Sequence, residues 1–212
     1  MTVWLPVSRL IRIMKVIGLT GGIGSGKSSV SQFLAELGAV ILDADEVGHK
    51  AFKPNTEIWR EVVAAFGRQI LTPSGDIDRK KLGKIVFGNP EFLSQLNQIM
   101  HPRMYDIVKA QIEGYRQQRV DVVVLEAPLL LEAGWTSLVD EVWVTVASEP
   151  TVLKRLEERA GLSKQESLAR IHSQLSPEER IKHADVVINN DGSLDELKMK
   201  VKELWERLSL DT

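Results

Sequence analysis

The sequence predicts an α/β fold: a three-layer sandwich around a parallel five-stranded sheet, with two helical excursions grown out of it. Three observations carry that prediction. Five short apolar runs alternate with segments of helical periodicity, and the first run leads through a glycine-rich loop into an amphipathic helix. Strand signals then almost vanish between residues 47 and 118. Strand–helix alternation of this kind builds parallel sheets covered by helices.

The elements follow in chain order. Residues 1–13, MTVWLPVSRLIRI, are expected to be an N-terminal extension with translation beginning at Met14. Arg9 and Arg12 interrupt the apolar run that a secretory signal would need. The runs KVIGLT (15–20), AVILD (39–43), DVVVLE (121–126), EVWVTVA (141–147) and DVVIN (185–189) are apolar on both sides rather than alternating. Parallel strands covered on both faces have that pattern. Val30, Phe33, Leu34 and Leu37 recur at i, i+3, i+4 and i+7, which predicts a helix after the glycine loop. Ser163 with Glu166, Ser176 with Pro177 and Glu179, and Ser193 with Glu196 mark further helix starts. The core is therefore expected at 14–46, 119–149 and 184–212. Residues 47–118 form a helical substrate-binding insertion and residues 150–183 a second helical excursion, suited to a movable cover.

Composition narrows the function classes. A chain of 212 residues with 43% hydrophobic content is long enough for one packed domain with a sub-domain. A formal charge of −2 argues against nucleic-acid or anionic-membrane partners. No segment approaches the roughly 20 apolar residues that span a bilayer. The absence of cysteine excludes disulfides and thiolate metal sites, and fits a cytoplasmic setting.

The loop Gly21-Gly22-Ile23-Gly24-Ser25-Gly26-Lys27-Ser28 satisfies G-x-x-x-x-G-K-[ST], with a strand before it and a helix after it. Glycines let successive backbone N–H groups curl into an anion nest, and the helix N-terminus adds partial positive charge. Lys27 is placed to reach β- and γ-phosphates, and the Ser28 hydroxyl to complete a Mg²⁺ shell. The loop announces a nucleoside triphosphate but not its use. No N-K-x-D motif of a GTPase follows, and a motor needs more chain, so a small-molecule kinase fits the length and layout best.

A kinase needs a group to take the acceptor's proton. Asp43 and Asp45 stand at the carboxyl end of the second strand, where ligands gather in open α/β sheets, and share a side if the strand persists. One is suited to base chemistry and the other to metal-bound water, while capping of the helix EVGHKAF is the competing reading.

From Met14 onward the chain resembles the dephospho-coenzyme A kinase family. The match runs through IGLTGGIGSGKSSV, LDADEVGHKAF, GDIDRKKLGKIVF, LNQIMHPRM, VVLEAPLLLEAGW, VLKRLEER and ADVVINNDGS in the family's order. The resemblance implies a P-loop, nucleotide-kinase-like core with a helical substrate domain and a lid. It implies ATP-dependent, Mg²⁺-assisted phosphorylation of the ribose 3′-hydroxyl of dephospho-coenzyme A. The sequence does not fix the oligomeric state, and a monomer or small homo-oligomer is expected. It implies Asp45 as base, with Lys27 and Arg155 as catalytic partners.

The remaining positions rest on the same resemblance, each beside a plainer reading. Arg79 is expected to hold acceptor phosphates, or else to be a surface arginine. His101, Pro102 and Arg103 are expected to line the acceptor pocket, though His-Pro also reads as a helix-end turn. Leu129, between Pro128 and Leu130, follows the third strand at the pocket wall or in the core. Glu126 ends that strand as a candidate for the metal's water shell. Arg155 and Arg159 share a helix face and are expected to close over the donor phosphates, or else to sit in a salt-bridged surface helix. Ser29, standing where the family has threonine, offers a hydroxyl to the α-phosphate. Asn190, within NNDG, is expected near the adenine, with a plain turn in competition.

Overall fold

The computed structural model describes residues 14–210. Residues 1–13, the expected extension, lie outside the described residues. Five strands, β1 (Lys15–Gly21), β2 (Val40–Asp43), β3 (Val122–Glu126), β4 (Glu141–Val146) and β5 (Val186–Asn189), form one sheet in the order β2-β3-β1-β4-β5. Each pairing is parallel. All five expected runs are strands.

Their uniform hydrophobicity has the anticipated cause. Side chains alternate across a strand, and both faces are covered in β1, β3 and β4. By contrast β5, at the sheet edge, alternates and leaves Val187 45% exposed, contrary to the expectation for DVVIN. Val122 and Val124 enter a core with Ile17, Leu19 and Trp143, closed by α1 (Lys27–Glu36) and α9 (Leu194–Leu210). Val123 and Leu125 enter the opposite core with Val16, Val142 and Val144.

That second core continues without a break into the helical insertion. It includes Val47 of α2 (Ala44–Ala51), Ile58 and Val62 of α3 (Glu57–Phe66), and Leu82 of α4 (Arg79–Val86). Met104, Val108 and Ile112 of the 28-residue α5 (Pro90–Gln117) complete it. An isolated antiparallel bridge between Leu71 and Ile77 closes the TPSGD turn before α4. The segment after β4 forms α6 (Glu149–Ala160), α7 (Lys164–His172) and α8 (Pro177–Ile181). Ser163 and Glu166 make a complete capping box, and the Ser176 side chain accepts from the Glu179 amide.

Two local expectations are corrected. The second strand stops at Asp43, whose carboxylate accepts from the amides of Asp45 and Glu46 at 2.8 and 3.3 Å and caps α2. Asp43 and Asp45 are therefore not strand neighbours on one side; Asp45 sits in the first helical turn. The His101-Pro102 pair is no helix end either, because α5 runs straight through Pro102. The buried anchors Met104, Val108 and Ile112 beyond it offset the one backbone hydrogen bond that proline removes.

Candidate active site

The donor side begins at the carboxyl end of β1. Gly26 caps α1 with φ 95°, and a β-carbon there would lie 1.9 Å from Asn190 Nδ2. Only glycine fits both the left-handed backbone and that contact. The Asn190 amide, 6% exposed, donates to the Ser25 carbonyl at 2.8 Å. Ser25 Oγ meets Thr145 Oγ1 of β4 at 2.9 Å. Arg155 of α6 donates to the carbonyls of Gly24 and Asn190 at 3.1 and 2.8 Å. Gln174, after α7, accepts the Ile23 amide at 2.8 Å. The loop is thus held in shape by four tertiary side-chain contacts. Beside it opens a cavity of about 510 Å³, lined by Gly22, Ile23, Val152, Gln174 and the α7–α8 connection.

Lys27 Nζ lies 2.6 Å from Glu126 Oε1, and both side chains are largely buried. Glu126 ends β3 in register with Asp43 of β2 and Leu19 of β1. The ammonium is therefore held at the carboxyl edge of the sheet, one residue from the acceptor wall. Ser28 is exposed and Ser29 half-exposed in the first turn of α1.

A second cavity, of about 540 Å³, gathers Asp45, Arg79, His101 and Leu129, the residues expected on the acceptor side. Asp45 arrives on the first turn of α2 and Arg79 on the first turn of α4. His101 comes from α5, and Ala127, Pro128 and Leu129 from the loop after β3. The Arg79 guanidinium stacks over the Phe52 ring at 5.3 Å. Burial pushes its pKa down while the nearby Asp45 carboxylate pushes it up. Burial likewise lowers the His101 pKa below its usual value, which favours the neutral imidazole.

Not every expected residue converges. Arg103, two positions past His101 on α5, points away from that cavity and pairs with Glu61 and Glu57 of α3. Pro102 lines a shallow groove on the outside of α5 with His101 and Gln98. Arg159 is exposed on the turn of α6 beyond Arg155. Three partners escaped sequence reasoning: Gln174, Thr145 and Arg180, the last only 1% exposed. Their contacts span more than 100 residues of chain, and no local pattern marks them.

A phosphate cradle, a lysine at the strand edge, and an adjoining cavity with a carboxylate and an arginine define a P-loop kinase, an enzyme of phosphoryl transfer. The chain belongs to the dephospho-CoA kinase family, which it matches over residues 15–196, and its activity is phosphorylation of dephospho-CoA in the final step of coenzyme A biosynthesis. It is 47% identical over 198 residues to a dephospho-CoA kinase of Dehalococcoides mccartyi, covering 93% of this chain and 100% of the relative. Among solved structures it resembles TT1252 from Thermus thermophilus at 33% identity and TM-score 0.77, covering 92% and 98% of the two chains. It also resembles a dephospho-CoA kinase from Campylobacter jejuni at 29% identity and TM-score 0.71, with the same coverages. Among the described residues no helix is long and apolar enough to cross a membrane.

Proposed function

We propose that the γ-phosphoryl group of ATP passes to the ribose 3′-hydroxyl of dephospho-CoA, with Asp45 as general base. One observation carries the assignment: the cavity holding Asp45 also holds Arg79 and His101, and its wall at Ala127 directly follows Glu126, the partner of Lys27. In the reaction the 3′-oxygen bonds to the γ-phosphorus, the bond to the β-phosphate's bridging oxygen breaks, and ADP leaves. The hydroxyl proton goes to the Asp45 carboxylate.

Each further residue acts on that transfer. The amides of Gly22 to Ser29 cradle the donor phosphates. Lys27 exchanges its partner Glu126 for the β- and γ-oxygens. Arg155 keeps the loop's shape through the Gly24 carbonyl and adds positive charge beside the phosphates, and Arg159 extends that charge outward. Arg79 grips acceptor phosphate by charge-assisted hydrogen bonds. His101, neutral, and Leu129 wall the acceptor. Asn190 shapes the cradle from the adenine side.

The donor set also suits Mg²⁺. The exposed Ser28 hydroxyl and the carboxylates at the strand ends are hard oxygen ligands, and among the described residues no three-carboxylate or histidine cluster offers a rival site. Bound there, the ion would neutralise charge on the donor phosphates. In this reading residues 47–118 bind acceptor, residues 150–183 close over donor, and the enzyme acts in the cytoplasm as a monomer or small homo-oligomer.

A coupled assay tests the reading with ATP, Mg²⁺ and a panel of acceptors: dephospho-CoA, AMP, nucleosides and shikimate. Turnover with dephospho-CoA far above the others is expected. No product phosphorylated at the 3′ position would end the proposal.

A further inference from the structure

Arg180 of α8 is the most deeply buried charged side chain described, and phosphoryl transfer as derived above makes no use of it. Its guanidinium makes four hydrogen bonds. Nε donates to the Leu175 carbonyl at 3.2 Å, and both residues line the cavity beside the loop, so the affinity for ATP is what separates positioning from donor contact. Nη1 donates to Thr20 Oγ1 at 3.3 Å and to the Pro128 carbonyl at 3.1 Å. Nη2 pairs with Glu132 Oε1 at 2.8 Å.

These partners belong to three parts of the machine. Leu175 belongs to the helical cover. Thr20 is the residue before the first glycine of the loop, and its hydroxyl also donates to the Pro128 carbonyl at 3.2 Å. Pro128 is part of the acceptor wall, with Ala127 and Leu129 beside it in the cavity. One guanidinium therefore touches the cover, the root of the phosphate cradle and the acceptor wall at once.

Stability alone does not call for such a group. Burying an arginine and its counter-ion costs desolvation, and an apolar pair of equal volume commonly holds a fold as well. What the ionic fork adds is direction. Five N–H donors in one plane fix the relative positions of four acceptors, which a lysine's single nitrogen does not reproduce.

We infer that Arg180 is a positioning residue for phosphoryl transfer, setting the acceptor wall at its working distance from the phosphate cradle when the cover is seated. The inference rests on the reading that the cavity around Asp45 takes dephospho-CoA. Misplacement by about 1 Å costs on the order of 10² in rate, whereas donor binding depends on the cradle's own amides.

Two variants of the full chain test it. Arg180→Lys keeps the charge beside Glu132 but loses the fork, and the pair Arg180→Met with Glu132→Met removes both charges together. For each, kcat, KM for dephospho-CoA, Kd for ATP and Tm are measured. In both variants kcat is expected to fall by about 10- to 100-fold and KM for dephospho-CoA to rise, with Kd for ATP within about twofold of wild type. In the double variant Tm is expected near wild type, so the slow turnover is not a folding defect. A folded double variant with wild-type kcat would overturn the inference, as would ATP affinity falling in step with KM. If the double variant does not fold, Arg180→Lys decides: wild-type turnover in it refutes positioning. Wild-type enzyme in the same assay keeps the two questions apart: no turnover of dephospho-CoA by wild type would end the functional reading, whereas wild-type turnover retained in the variants would end only the inference about Arg180.

Discussion

The donor cradle is made of main chain, while the acceptor cavity is made of side chains delivered by α2, α4, α5 and the loop after β3. The cradle needs glycine at Gly26 because a side chain would strike Asn190, and its carbonyls are tied down by Asn190 and Arg155. The cavity has no such internal lattice. Its polar groups hold station because each begins or interrupts a helix whose apolar face is anchored in the common core. A backbone site binds what every nucleoside triphosphate shares; a side-chain site can be specific for one acceptor.

Substitutions that separate the two regions test this difference, the largest effect first. Asp45→Asn should lower kcat by about 10²- to 10⁴-fold and leave the Kd for ATP nearly unchanged. A Kd that weakens in parallel would join Asp45 to the donor site and break the division. Lys27→Ala should cost about 10²- to 10³-fold in turnover with every acceptor tested, because it acts on the moving phosphoryl group. An effect confined to one acceptor would place Lys27 on the wrong side.

Smaller changes sharpen the contrast. Arg79→Met should raise KM for dephospho-CoA by about 10- to 100-fold, the value of lost charge-assisted hydrogen bonds, with no change in ATP affinity. Asn190→Ala should destabilise the protein by about 1–3 kcal/mol, since the buried Ser25 carbonyl loses its donor. Denaturant titration reads that loss, and an unchanged midpoint would mean the cradle keeps its shape unaided.

The smallest effect is a pH dependence on the acceptor side. Burial lowers the His101 pKa below 6.5, so the unfolded chain binds its proton more readily than the folded one. Its stabilising contribution is present above about pH 6.5 and is lost as pH falls through the lower folded value. His101→Asn should therefore narrow the difference in urea midpoint between pH 7 and pH 5. A difference that stays the same would assign the acid sensitivity to another group, and not to Asp191, whose contribution is lost only below about pH 4. Hydrogen bonds from the Ser148 backbone and side chain hold that carboxyl far below the usual carboxylate range.

Local chemistry made much of this readable in advance. The inner strands announced themselves because burial on both faces demands unbroken apolar runs, while β5 reads as apolar yet exposes Val187 at the sheet edge. The helix starts were legible because Ser163, Ser176 and Ser193 carry their caps within three residues. The cradle was legible because its function needs glycines in fixed order. Misreadings arose where a local cue met a distant constraint. Proline at 102 suggests an ending, yet α5 continues because its far half is pinned in the core. Arg103 neighbours His101 in sequence, yet the helical turn between them sends it to Glu61 instead.

By itself, then, the order of residues specified the sheet, the loop and the family, since each depends on neighbours a few positions apart. Folding in three dimensions decided which polar groups meet: Lys27 with Glu126 across 99 positions, Arg180 with Thr20 across 160, and Asn190 with Ser25 across 165. No spacing rule encodes such pairs, because the sheet and the common core bring their backbones together before any of those side chains can touch.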